Sequence, residues 1–339
     1  MSEIAIIGAG AWGTALAIVA GRNGNHRVRL WAHEKEVRAS VEDRHVNDLF
    51  LPGQTIPTSV HVTNDLAEAL QGAEIVISVM PSNHCRRLFQ NMQPFVHPEM
   101  LFVSATKGLE DGSLARMTEV IAQVLCEKKK FPARIGAMSG PSFAKEVARG
   151  DPTAITIASQ DPELAQAVQQ TLSDPRFRLY TNQDVIGVEL GGSLKNVIAI
   201  AAGVCDGLGL GHNSVAALIT RGLAEMTRLV VACGGKRETM SGLAGLGDLV
   251  LTCTGGLSRN RSVGVELGQG RQLPDIIAGM HGMVAEGVLT TSAAVGLAKS
   301  RGVEMPITEK MHAILHDGKS PREAIHDLMT RSAKSETEL

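Results

Sequence analysis

The stretch Ile4-Ala-Ile-Ile7-Gly8-Ala9-Gly10-Ala11-Trp12-Gly13-Thr14-Ala-Leu-Ala-Ile-Val-Ala20 decides the fold. Ile4 to Ile7 reads as a short buried strand, Gly8 to Gly13 as a tight turn, and Thr14 to Ala20 as the start of a buried helix that ends near Gly21 and Gly24. The spacing G-x-G-x-x-G between a strand and a helix gives each glycine a physical role. Gly8 makes the turn, Gly10 lets the backbone approach a pyrophosphate, and Gly13 lets helix and strand pack closely. The N-terminus of the helix then offers free N–H groups to phosphate oxygens. The run from Ile4 to Ala20 carries no charge, but Glu3 rather than a basic residue precedes it and it is short for a membrane span. Neither a leader nor membrane insertion is expected, and the cytoplasm is the expected compartment.

Further along, apolar runs recur at Arg27 to Trp31, Val60 to Val62, Ile75 to Val79, Leu101 to Ser104, Arg134 to Met138, Thr153 to Ala158 and Phe177 to Tyr180. Helical stretches intervene at Asp65 to Leu70, His84 to Met92, Leu114 to Leu125 and Pro162 to Leu172. This alternation predicts an α/β, Rossmann-like domain, a parallel-rich sheet with helices on both faces. After about Val185 the strands stop and alanine-rich helical segments follow: Ser193 to Val204, Asn213 to Cys233, Ser262 to Gln269, Thr290 to Ser300 and Thr308 to His316. The chain of 339 residues is longer than one core usually organises. We therefore expect residues 1–190 to form a dinucleotide-binding domain and 191–339 a mostly helical substrate and catalytic domain, with the ligand site in a cleft between them.

A formal net charge of −2 leaves no field of one sign to attract nucleic acid, and Lys128, Lys129 and Lys130 read as a solvated helix end. Five cysteines without C-x-x-C spacing suggest neither a disulfide framework nor a zinc ribbon. His312 and His316 share a helical face but lack the glutamate of H-E-x-x-H, so no metal is expected. A homodimer is the default among soluble oligomers.

The second strand runs into Ala32 and His33, where an NAD-selective site wants an acid for the ribose hydroxyl. Glu34 comes one step later, with Lys35 and Arg38 close by. This edge favours the 2′-phosphate of NADPH over NADH, although His33 and Arg38 also fit a solvated helix start. Ketone reduction by hydride needs a proton donor, and a lysine serves when burial or a neighbouring cation lowers its pKa. Lys195 stands at the start of an otherwise apolar helical segment. By its residues alone that segment also fits a snorkelling lysine. Lys107 alone reads as a loop lysine, Asp248 as a helix cap or as an acid that holds Lys195 or the substrate hydroxyl, and Ser258-Arg259-Asn260 as a helix start with a solvated arginine or as a phosphate cradle.

The segment Gly192-Ser-Leu-Lys-Asn-Val-Ile-Ala-Ile-Ala-Ala-Gly-Val-Cys-Asp-Gly-Leu-Gly-Leu-Gly-His-Asn213 resembles the signature of the NAD-dependent glycerol-3-phosphate dehydrogenase family. The likeness extends to Gly8–Leu16, Ala105-Thr-Lys-Gly-Leu109, Ser139-Gly-Pro-Ser142, Gly245-Leu-Gly-Asp248 and Ser258-Arg-Asn260. Ala11 replaces a frequent serine, at a position that meets phosphate mainly through its backbone. The resemblance implies reversible reduction of dihydroxyacetone phosphate to sn-glycerol 3-phosphate by NADPH or NADH, supplying glycerophospholipid synthesis. It implies that Lys195 is the general acid and base, with Lys107, Asp248 and Thr252 beside it. It also implies substrate contacts from Lys107, Gly140, Ser142, Lys195, Asn196, Asp248, Ser258, Arg259 and Asn260. Cofactor contacts are implied for Gly8, Gly10, Ala11, Trp12, Gly13, His33, Lys107, Ala144, Arg259, Val284 and Glu286. The competing readings are a β-hydroxyacid or 6-phosphogluconate-type dehydrogenase and a nucleotide-binding sensor without chemistry.

Overall fold

A computed structural model describes residues 1–22, 24–129, 132–280, 283–333 and 335–336. The side chains of Lys128, Lys129 and Lys130 lie outside that description. The chain forms two compact units: 1–106 with 116–185, and 107–115 with 186–339. The segment Lys107–Ala115, which the sequence reading places in the first domain, belongs to the second unit.

In the first unit, an eight-stranded sheet is built from β1 (Glu3–Ile7), β2 (Arg27–Trp31), β5 (Val60–Thr63), β6 (Ile75–Ser78), β7 (Leu101–Ser104), β8 (Arg134–Ser139), β9 (Thr153–Ala158) and β10 (Phe177–Asn182), in the order β10-β9-β8-β7-β6-β1-β2-β5. The parallel-rich sheet expected from the alternating runs is present, with one antiparallel joint between β8 and β9. The link from β8 to β9 carries only the short helix Ala144–Arg149, which does not span the length of a strand and so returns the chain antiparallel. β1 lies between β2 and β6, and the chain leaves it to one side before returning to the other. Ligands of open α/β sheets bind at such a reversal, beyond the carboxyl ends of the strands.

The charge-free N-terminal run is explained by burial on all sides. Ile4–Ile7 are inaccessible, and the helix Ala11–Gly21 is buried from Gly13 to Gly21. Between β2 and β5 the chain forms a helix, Lys35–Arg44, and a hairpin of β3 (Val46–Asn47) and β4 (Leu51–Thr55) that the apolar pattern does not announce.

The second unit is helical and is organised around Val185–Gly207, whose residues Gly187 to Cys205 are all buried. This helix is long and apolar enough to cross a membrane, yet 89% of its most apolar window is packed inside protein. The sequence reading places a helical segment at Ser193 to Val204, with Lys195 near its start. Instead the helix runs through Gly191 and Gly192, because Gly191 lets another backbone come close: a Cβ there would stand 2.6 Å from the Ala244 carbonyl oxygen. The same device brings Arg259–Gly268 against it, since a Cβ on Gly203 would meet the Arg261 carbonyl oxygen at 2.0 Å and one on Gly264 the Ile200 oxygen at 2.0 Å. That crossing sets the start of Arg259–Gly268 beside Asn196.

Candidate active site

Lys195 sits ten residues beyond Val185, in the interior of the helix and not at its N-terminus, and is 5% exposed. The unfavourable term is therefore desolvation and not the helix dipole. Its Nζ donates to Asp248 Oδ1 and, at 2.6 Å, to Thr252 Oγ1. Lys107 Nζ donates to the other oxygen, Asp248 Oδ2, at 2.7 Å. One fully buried carboxylate thus bridges two ammonium groups.

Asp248 opens the helix Asp248–Thr254, directly after a wide π-helical turn, Leu243–Gly247. Its carboxylate does not cap that helix, as the simple reading of the glycine-rich turn proposes; both oxygens serve the lysines. Thr252 lies one turn further on, and its hydroxyl donates back to the Asp248 carbonyl oxygen at 2.6 Å. The hydroxyl proton is thereby committed, leaving the oxygen lone pairs to accept from Lys195. The Lys107 loop is fastened to the central helix by Ser193 Oγ, which donates to the Gly108 carbonyl oxygen at 3.2 Å, and by Leu109, which is buried in the helical core.

Burial pulls the Lys195 ammonium down to about 8; Asp248 opposes that fall and Lys107 adds to it. For Asp248, burial disfavours ionisation, but Lys107 and Lys195 outweigh it and hold the carboxyl below the usual range. At neutral pH the cluster holds a charged carboxylate and an ammonium that can give up its proton and recover it near physiological pH.

A second group adjoins the first. Asn260 Nδ2 donates to Asn196 Oδ1 at 2.9 Å, and Asn260 Oδ1 accepts from the Gly287 N–H at 2.9 Å. Asn196 Nδ2 reaches the Lys107 carbonyl oxygen at 3.5 Å. Ser258 is the N-cap of Arg259–Gly268, its hydroxyl accepting from the Arg261 N–H at 3.2 Å. Arg259 is exposed and touches the Val284 carbonyl oxygen at 3.3 Å, and Glu286 opens the helix Glu286–Ser300. An exposed guanidinium carried by the first residue of a helix suits a phosphate dianion. Gly287 was missed by the sequence reading, since a glycine after a glutamate carries no spacing signal. A Cβ there would lie 2.7 Å from the Asn196 carbonyl oxygen and 2.8 Å from Asn260 Oδ1.

In the first unit, Gly8 has φ +121°, and a Cβ on it would stand 2.4 Å from the Val79 carbonyl oxygen. A Cβ on Gly13 would stand 1.8 Å from the Gly8 carbonyl oxygen, whereas the flank of Gly10 is open. The turn hydrogen-bonds to β2 through Gly8 N–H and the Trp31 carbonyl oxygen at 3.1 Å. The helix Ala11–Gly21 opens at Gly10 without a side-chain cap among the described residues, a donor set that fits a pyrophosphate. Ala11, Trp12 and Ala144 each pack, partly buried, against the hydrophobic core of this unit. His33 is exposed, its ring 5.9 Å from that of Trp31, and Arg38 is paired with Glu42 at 2.8 Å. Gly140 has φ +150°, and its carbonyl oxygen accepts from Ser142 Oγ at 2.8 Å. The structure thus groups Lys107, Lys195, Asp248, Thr252, Asn196 and Asn260 in the second unit, while Gly8–Gly13, His33, Gly140, Ser142 and Ala144 belong to the first.

Residues 3–165 match the family profile described as the N-terminus of NAD-dependent glycerol-3-phosphate dehydrogenase, and residues 184–326 match that of its C-terminus. A glycerol-3-phosphate dehydrogenase (NAD(P)+) of Koribacter versatilis is 70% identical over 99% of both chains, and one of Citrifermentans bemidjiense is 53% identical over 98% of both. A crystal structure of glycerol-3-phosphate dehydrogenase from Coxiella burnetii superposes with a TM-score of 0.92 at 42% identity, covering 97% of this chain and 99% of that one.

Proposed function

Because the chain belongs to the NAD-dependent glycerol-3-phosphate dehydrogenase family, we propose that it reversibly reduces dihydroxyacetone phosphate to sn-glycerol 3-phosphate, with Lys195 moving the proton. The carrying observation is the buried Lys195, tuned to about 8 and held by Asp248 and Thr252 beside Lys107. A bound reduced dinucleotide supplies the hydride to the carbonyl carbon. Lys195 gives its Nζ proton to the carbonyl oxygen as the alkoxide forms, and takes it back in the oxidation direction. Lys107 and Asp248 keep the charge balance so that the donor stays protonated yet labile near neutral pH. Arg259, the start of its helix and the second Asn260 Nδ2 hydrogen are the donors offered to the substrate phosphate. Gly8, Gly10, Ala11, Trp12 and Gly13 bind the pyrophosphate, with Ala144, Val284 and Glu286 as further cofactor contacts and Gly140 and Ser142 as further substrate contacts.

NADPH is the preferred cofactor in this reading, because Ala32 and His33 follow β2 where an NAD-selective site wants a carboxylate, and Glu34 comes one step later with Lys35 and Arg38 close by. The pairing of Arg38 with Glu42 makes that preference a modest one. Five free cysteines fit a reducing cytoplasm, where the product feeds glycerophospholipid synthesis, and the protein acts as a homodimer. The test is the decay of absorbance of NADPH, and separately of NADH, on adding dihydroxyacetone phosphate to purified protein. Rapid oxidation that requires the phosphorylated ketone, faster with NADPH, is expected. Silence with both cofactors in folded, cofactor-binding protein would refute the assignment.

A further inference from the structure

Asn47 stands in β3 of the first unit and is completely buried. Its Nδ2 donates to the Ala9 carbonyl oxygen at 2.8 Å and to Thr14 Oγ1 at 2.8 Å, and its Oδ1 accepts from the Phe50 N–H at 3.1 Å. Thr14, also completely buried, donates from Oγ1 to the same Ala9 oxygen at 3.3 Å. A carboxamide is costly to bury, and an apolar side chain would fill this space without that cost, so the particular contacts are what the residue contributes.

Both donors converge on one carbonyl, and it belongs to the glycine-rich turn. Across a trans peptide the C=O and the following N–H point in opposite directions. Holding the Ala9 oxygen inward therefore turns the Gly10 N–H the opposite way, and a Cβ built on Gly10 would meet nothing within 4 Å, so no side chain crowds a ligand there. The N–H groups of Ala11 and Trp12 follow at the uncapped start of the helix. Without the anchor, the orientation of the Ala9–Gly10 peptide rests on the buried Ala9 methyl and the flanking backbone alone, since Gly10 has no side chain to restrict it.

We propose that Asn47 is a positioning residue for the dinucleotide: with Thr14 as second anchor, it fixes the Ala9–Gly10 peptide so that the turn presents N–H groups to the pyrophosphate. This rests on reading the turn as the dinucleotide site. The hairpin β3–β4 thereby acquires a role in binding that its position in the sequence does not disclose.

Asn47→Asp keeps the shape and the acceptor for Phe50 but replaces both donors with an oxygen facing the Ala9 carbonyl. We expect the Kd and KM for NADPH to rise roughly tenfold or more, the scale of a lost buried hydrogen bond. The KM for dihydroxyacetone phosphate at saturating NADPH should stay within about twofold of the parent, because a loss of folded protein alone lowers total activity without splitting the two constants. If Asn47→Asp does not fold, Thr14→Val, which removes the second donor at constant shape, should shift the NADPH constants in the same direction. An NADPH Kd unchanged in a folded variant, or equal rises in both KM values, would overturn the proposal. Should the parent protein bind neither NADPH nor NADH, the dinucleotide reading itself falls and the proposal with it, an outcome recognisable before any variant is made.

Discussion

Replacing Asp248 by Asn tests the charge balance of the proposed active site. The change removes one negative charge from between two ammonium groups while preserving size, and it forces an Nδ2 donor against one of the lysines. At hydrogen-bonding contact a unit charge pair is worth ~6 kcal/mol at an effective dielectric near 20. The amide keeps a dipolar acceptor, so we take about half of that as lost to Lys195, which corresponds to a fall of roughly two pK units. In the parent, Lys195 titrates at about 8, so reduction, which draws on the ammonium, should slow as pH rises through that value, and oxidation, which needs the free amine, should speed up. In Asp248→Asn the corresponding transition should move to roughly pH 6. At about pH 7.5 the protonated fraction then drops from roughly three-quarters to about 3%, so reduction falls about twentyfold or more through protonation alone. The loss should largely recover at about pH 5.5, which separates tuning from simple damage. The assay is kcat against pH in both directions at saturating substrates. It should be run well below the melting temperature, because removing one partner from a buried ion pair costs ~3–5 kcal/mol of stability. An unchanged transition, or a loss of the same size at every pH, would refute the reasoning.

Lys195→Ala should lower kcat by at least two orders of magnitude, the scale of a lost general acid, while leaving the NADPH Kd within about twofold; near-parental turnover would remove Lys195 from the mechanism. Arg259→Ala should raise the KM for dihydroxyacetone phosphate by roughly tenfold or more, the scale of a charge-assisted contact, with a much smaller effect on dihydroxyacetone; equal penalties on both ketones would contradict the phosphate assignment.

What the sequence determined by itself lies in local pattern. The continuous apolar runs of β1, β6 and β7 are strands buried on both faces, so period and length alone identify them. The glycines of Gly8 to Gly13 are legible because each has a steric reason within a few residues of chain, as the close approach of Gly13 to the Gly8 oxygen illustrates. The same local logic misplaced the start of the Lys195 helix. Gly191-Gly192 has the composition of a break, and only the backbone of Ala244 packed against it explains why the helix continues. The hairpin carrying Asn47 was invisible for a similar reason, since its buried carboxamide is satisfied by a turn 38 residues away.

Tertiary structure decided the chemistry. Lys195 and Asp248 are 53 residues apart and Lys107 and Asp248 are 141 apart, and no spacing rule joins residues at such separations. By composition alone, Lys107 reads as a loop lysine, Asp248 as a cap and Lys195 as a snorkelling cation; the resemblance sets them beside one another, and the fold supplies which atoms bond to which. Folding buries Lys195 and Asp248 and brings the partly exposed Lys107 against them. In that shared low-dielectric site, desolvation and mutual charge set the protonation of Lys195, and these quantities depend on distance in space and not on position along the chain.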